Sequence, residues 1–263
     1  MRVLFILLLF LTLTLHAQDP LQRLEHSPRH HEWVDISYGD RIVKGFLVFP
    51  EVSENVPVVI VIHENRGLND WARSMADQIA EAGYIALAPD LLSGAGPEGG
   101  GTSAFENSDA ARTAIYALDP DQVTADLNAF ADYAMNIPSG NGKIAVIGFC
   151  WGGSQSFRFA TNNQEIEAAL VCYGSGPEAG EAYQQIEVPV YGFYGGNDNR
   201  VNATIDNSKK WMETYGKFYE PVIYEGAGHG FFRAGEAKDA SEANKKARQE
   251  GLERIWKILS RMK

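Results

Sequence analysis

From Val56 to Ile62 the chain is almost continuously branched and apolar. A strand with one wet face alternates, so this run reads as a strand covered on both faces, as inside a parallel sheet. The signature returns at Tyr84 to Ala88, Lys143 to Ile147, Ala168 to Tyr173, Val188 to Tyr194 and Pro221 to Tyr224. Helical patterns lie between these runs. Asn69 caps a helix through Glu81 whose apolar stripe includes Trp71, Met75 and Ile79, and Asp119-Pro120-Asp121 opens another to about Asn136. Further helices start near Trp151, Ala203 and Ser241, the last running to Met262. Strands alternating with helices imply right-handed crossovers, hence an α/β fold with a mostly parallel central sheet and helices on both faces. Ahead of these units, Val34 to Tyr38 and Ile42 to Phe49 flank Gly39-Asp40 and read as an antiparallel hairpin.

A chain of 263 residues with 45% hydrophobic residues fits one such domain, spanning residues 34–263. The start of the chain reads as an address. Arg2 precedes an apolar stretch from Val3 to Leu15 and then His16-Ala17-Gln18, the layout of a secretory signal cut after Ala17. The stretch is short for a membrane span, so residues 1–17 are expected to leave no membrane anchor after cleavage, with a periplasmic or secreted location. Residues 18–33 read as a leader. Its His26, His30 and His31 have no matching cluster elsewhere, so the segment is expected to be solvated rather than to bind metal. A net charge of −11 with no run of Lys or Arg argues against nucleic-acid binding. The loop from Ser93 to Ser103 is rich in Gly, Ser and Pro but lacks a phosphate-binding Lys, and no cofactor is expected.

The chemistry concentrates at Gly148-Phe149-Cys150-Trp151-Gly152-Gly153, directly after a buried strand. A nucleophile elbow needs a sharp strand-to-helix turn that lifts one side chain above the sheet, with glycine two residues to either side. Cys150 holds the nucleophile position. The turn aims the Trp151 N–H and the start of the next helix at the site, where both favour an anion. Cys172 lies inside an apparent core strand and reads as a small hydrophobe rather than a disulfide partner. His229, in Gly228-His229-Gly230 after the last strands, is the candidate base; His63 is its competitor and reads as part of the site wall. Asp198, in Gly195-Gly196-Asn197-Asp198 after another strand, is the candidate acid. Nucleophile, acid, His is the chain order that α/β-hydrolases use.

With these motifs the chain resembles the dienelactone hydrolase family over residues 34–263. The elbow with its Trp and Gly pair, the Asp loop and the Gly-His-Gly-Phe loop carry the likeness. The resemblance implies the α/β-hydrolase fold and hydrolysis of a small-molecule carboxylic ester or lactone. It also implies that Glu64, in His63-Glu64-Asn65-Arg66-Gly67-Leu68, contacts and helps activate the resting thiol, and that the Asn65 N–H is the second oxyanion donor. Arg233 matches a family Arg that binds the substrate carboxylate. A second Arg of the family, after the Pro-Asp-Leu segment, is missing, because Pro89-Asp90-Leu91 leads into Leu92-Ser93-Gly94. That departure bears on an acidic substrate.

These residues together imply acyl transfer through Cys150, with a monomer expected. A peptidase or acyltransferase using the same triad, or a binding protein on a hydrolase scaffold, are the competing readings. Export sets an oxidation-prone thiol in an oxidising compartment, a tension internal to this reading.

Overall fold

A strand with two apolar faces needs two covers, and the computed structural model, which describes residues 19–263, supplies both. The elements run α1 (Pro20–Glu25), β1 (His30–Tyr38), β2 (Arg41–Phe49), β3 (Val56–Ile62), α2 (Asp70–Glu81) and β4 (Ile85–Pro89). Then come α3 (Ser108–Tyr116), α4 (Pro120–Met135), β5 (Gly140–Phe149), α5 (Trp151–Ala160), β6 (Ala168–Cys172) and β7 (Val190–Gly195). The chain closes with α6 (Asn199–Asn202), α7 (Ile205–Thr214), β8 (Tyr219–Tyr224), α8 (Phe231–Ala234) and α9 (Glu242–Leu259). The expected signal segment, residues 1–17, lies outside the described residues.

The strands form one eight-stranded sheet in the order β1-β2-β4-β3-β5-β6-β7-β8. The β1–β2 and β2–β4 pairs are antiparallel, and every pair from β4 through β8 is parallel. Side chains of a strand alternate between faces. On β3, Val59 and Val61 join one core layer with Met75 and Ile79 of α2 and Ile255 of α9. Val58, Ile60 and Ile62 join the other with Leu127 and Phe130 of α4 and Phe157 of α5. Every residue of β3, β4, β6 and β7 is buried, which accounts for the unbroken apolar runs.

The helices begin where their caps stand. Asn69 Oδ1 accepts the Ala72 N–H at 3.1 Å, and Asp119 Oδ1 accepts that of Asp121 at 2.9 Å. Two elements depart from expectation. Helix α3 buries only Ala111 and Ile115, a pair too sparse to give a periodic signal. The helix expected from about Ala203 stands as α7, and an unexpected short α6, capped by Asp198, precedes it.

The segment read as a leader is built into the domain. Asp77 of α2 is wholly buried, and residues 27 to 31 satisfy it. Ser27 Oγ donates at 2.6 Å, Arg29 Nε and Nη2 at 2.9 and 2.7 Å, and His31 Nε2 at 2.9 Å. Burial alone would raise the Asp77 carboxyl, but these donors outweigh it and hold it below its ordinary value. Among the described residues no group of three His, Cys, Asp or Glu is arranged to hold a metal, and no helix is long and apolar enough to cross a membrane.

Removing the Asp77 carboxylate strands a buried guanidinium, so Asp77→Ala is expected to cost about 3–5 kcal/mol in urea unfolding at neutral pH. Since the folded pKa is depressed, the wild-type contribution is present above the unfolded value and is lost as pH falls toward the folded one. The gap between variant and wild type should therefore shrink under acid; a gap that stays constant would contradict the latch.

Candidate active site

The elbow is a backbone constraint before it is a chemical one. Cys150 sits between β5 and α5 at φ 56°, ψ −115°, a left-handed geometry that costs a non-glycine residue about 1–3 kcal/mol. Its N–H donates to the Cys172 carbonyl at 3.0 Å, which ties the turn to the end of β6. A side chain at Gly148 would put its Cβ 1.9 Å from the Gly152 carbonyl oxygen, and one at Gly152 would meet the His63 oxygen at 2.4 Å. The first turn of α5 thus lies against the end of β3, and nothing larger than glycine permits it.

Three side chains from three strand ends converge there. His229 Nε2 lies 3.1 Å from Cys150 Sγ, and its Nδ1 lies 2.5 Å from Asp198 Oδ2. Asp198 is buried and divides its oxygens, since Oδ1 caps α6 by accepting the Val201 N–H at 3.3 Å. Capping and holding the imidazole are therefore one arrangement. Burial opposes a charged ring on His229, yet the hydrogen bonds and charges of Cys150 and Asp198 prevail and raise its pKa to about 9. The raised pKa keeps a proton on the ring that faces Sγ.

Trp151 opens α5, and Asn65 follows β3. Among the described residues neither backbone N–H has a protein acceptor. Asn65 instead uses its side chain, donating from Nδ2 to the Tyr116 hydroxyl of α3 at 3.2 Å. A cavity of about 620 Å³ begins at Ser154, one helical turn beyond Cys150, and continues past Ser175 and Thr204.

Glu64 departs from what the resemblance implied. Its buried carboxylate is turned to Arg233, with Nε donating to Oε2 at 2.8 Å, and to the Tyr173 hydroxyl at 3.4 Å from Oε1. Among the described residues it makes no hydrogen bond to Cys150. A buried charge needs a paired cation more than a weak thiol donor, and α8 brings Arg233 within reach. Arg233, expected to bind substrate, spends part of its guanidinium on this pair, although 43% of its side chain stays exposed. Cys150 and Cys172 are both free thiols, and burial pushes the Cys172 thiol well up.

Sequence reasoning passed over Tyr173. It holds φ 41° just past β6, is fully buried, and presents its ring to His229 at 5.1 Å. The apolar run Ala168 to Tyr173 carried no mark at its last residue; only the position, at the end of a strand adjacent to the elbow, singled it out.

The sequence profile of the dienelactone hydrolase family matches residues 43–263. A carboxymethylenebutenolidase of Pseudomonas putida is 27% identical over 239 residues, covering 88% of this chain and 98% of that one. Among solved structures, P91 from metagenomic libraries, described as a dienelactone hydrolase-like promiscuous phosphotriesterase, aligns with a TM-score of 0.74 at 22% identity, covering 89% of this chain and 98% of that one. An acylaminoacyl peptidase of Pyrococcus horikoshii aligns at 0.66 and 14% identity, covering 89% of this chain and 42% of the peptidase. These structural likenesses show the α/β-hydrolase fold.

A raised pKa means that His229 keeps its proton through neutral pH and loses it near pH 9. An NMR titration of the imidazole should find that midpoint, and Asp198→Asn, which removes one of the raising partners, should move it to lower pH. A wild-type midpoint near the ordinary histidine value would refute the arrangement.

Proposed function

The chain belongs to the dienelactone hydrolase family, whose members hydrolyse esters and lactones, and on that premise we propose that Cys150, His229 and Asp198 carry the reaction through an acyl-enzyme. The observation that carries the proposal is the chain of contacts from Sγ through the imidazole to a carboxylate held from behind by a helix end. The sulfur attacks the carbonyl carbon as thiolate, its proton held on His229. The carbonyl oxygen takes up the negative charge and receives the N–H groups of Trp151 and Asn65. As the tetrahedral centre collapses, the C–O bond breaks and the leaving alkoxide takes the proton from His229 Nε2. In a lactone this opens the ring and leaves the alcohol tethered to the acyl group. Water then gives a proton to His229 and attacks the thioester, the C–S bond breaks, and the acid departs. Asp198 holds one ring tautomer throughout and offsets the charge of the imidazolium.

Glu64 enters through Arg233. An anionic group on the substrate competes with Glu64 for the guanidinium, and a carboxylate released from that pair is beside the site and able to turn toward the thiol. The missing Arg beyond Pro89-Asp90-Leu91 leaves Arg233 as the single cation carried over from the family pattern, which favours neutral or singly charged esters. No cofactor is called on. Residues 1–17 act as a signal, and the mature chain starting at Gln18 works in the periplasm or outside the cell.

Cys150→Ala is expected to lower turnover of short p-nitrophenyl esters by several orders of magnitude, on the scale of about 10⁶ known for loss of a triad nucleophile. Turnover near that of wild type would overturn the assignment. Glu64→Gln should lower the rate less and leave the alkylation of Cys150 by iodoacetamide measurable. For export, mass spectrometry of the protein recovered from outside the cytoplasm should find Gln18 at its N-terminus; an intact Met1 would refute cleavage.

A further inference from the structure

His63 closes β3 beside the triad, is wholly buried, and has no part in the steps above. Its two ring nitrogens have partners that admit a single assignment. Nε2 lies 3.3 Å from the Leu91 amide nitrogen, which can only donate, so Nε2 carries the lone pair. Nδ1 lies 2.8 Å from the Glu64 carbonyl oxygen, which can only accept, so Nδ1 carries the proton. The ring is therefore the neutral Nδ1–H form. Burial favours that form and pushes the pKa below its ordinary value, against the opposing charge of Asp90.

The Glu64 carbonyl belongs to the same peptide group as the Asn65 N–H. In a planar trans peptide those two bonds point in opposite directions. Pinning the carbonyl onto His63 therefore fixes the plane and turns the Asn65 N–H outward, where it has no protein acceptor among the described residues. The same ring stacks on the Trp151 indole, with centroids 5.6 Å apart and planes within 14°. Trp151 supplies the other N–H. The His63 carbonyl is also the first atom that a side chain at Gly152 would meet. One imidazole thus touches the peptide of one oxyanion donor and the side chain of the other.

We propose that His63 is a positioning residue for the oxyanion hole, holding the Glu64–Asn65 peptide by a hydrogen bond and Trp151 by stacking, so that both N–H groups meet the same oxygen. This assignment rests on the triad reading given above. It distinguishes steps that build charge on an oxygen from steps that do not. Ester hydrolysis needs the hole, whereas alkylation of Cys150 by iodoacetamide forms a C–S bond, expels iodide and creates no oxyanion.

The test compares p-nitrophenyl acetate hydrolysis with iodoacetamide alkylation in the full chain and in His63→Phe, His63→Asn and His63→Gln. His63→Phe keeps a flat ring but loses both hydrogen bonds, and its kcat should fall by about 10²-fold, the scale of losing one oxyanion donor. Its alkylation rate should match wild type. His63→Asn sets an amide N–H near the former Nδ1 and should recover much of the rate, while His63→Gln offers an acceptor to Leu91 instead and should not. Equal loss in the Asn and Gln variants, or parallel loss of hydrolysis and alkylation, overturns the proposal. So does wild-type hydrolysis in His63→Phe. Failure of the triad reading looks different: Cys150→Ala would then hydrolyse the ester as fast as wild type.

Discussion

A parallel strand covered on both faces offers water only its ends. In this chain β3, β4, β6 and β7 are buried along their whole length, so these strands have no free face on which to build a site. Chemistry is displaced to the loops that leave the carboxyl ends of the strands. Glu64 and Asn65 follow β3, Cys150 follows β5, Tyr173 follows β6, Asp198 follows β7 and His229 lies beyond β8. Adjacent parallel strands bring those ends into one row, and residues far apart in the chain meet because the hydrogen-bond register leaves them nowhere else to go.

Double coverage is also what made the fold legible. Unbroken apolar runs such as Val56–Ile62 and Ala168–Cys172 are written directly into the sequence, and glycines flanking Cys150 and His229 mark positions where the backbone must turn sharply. What stayed hidden depends on partners distant in the chain. Asp77 looks like the wet side of α2 until Ser27, Arg29 and His31 are seen around it. Glu64 chooses Arg233, 169 residues away, and nothing near Glu64 announces that choice. Helix α3 escaped because two buried residues make no pattern, and the short α6 because Asp198 serves as a cap as well as a partner of His229.

Three of the buried carboxylates show how the protein keeps charge where water is scarce. Asp77 is held by a cation, a hydroxyl and an imidazole; Glu64 by a guanidinium with a tyrosine hydroxyl beside it; Asp198 by an imidazole and a helix N–H. In each case a bare carboxylate would cost several kcal/mol and the donors remove that cost. The first arrangement fastens the chain's beginning to its body. The other two lie at the strand ends, where the same physics leaves a polarised group next to the thiol.

The turn around Cys150 has a consequence for descent. Gly148 and Gly152 are closed to any side chain, and Cys150 itself is bent against its own preference, so this stretch cannot drift without losing the turn altogether. Helix α3 is anchored far more lightly, through Ala111 and Ile115 packed with Leu92 and Trp151. On such a frame the position of Cys150 is a fixed point, and the room for change lies around it. Novelty in what they accept has to arise along the rim, where a changed residue disturbs little that holds the molecule together.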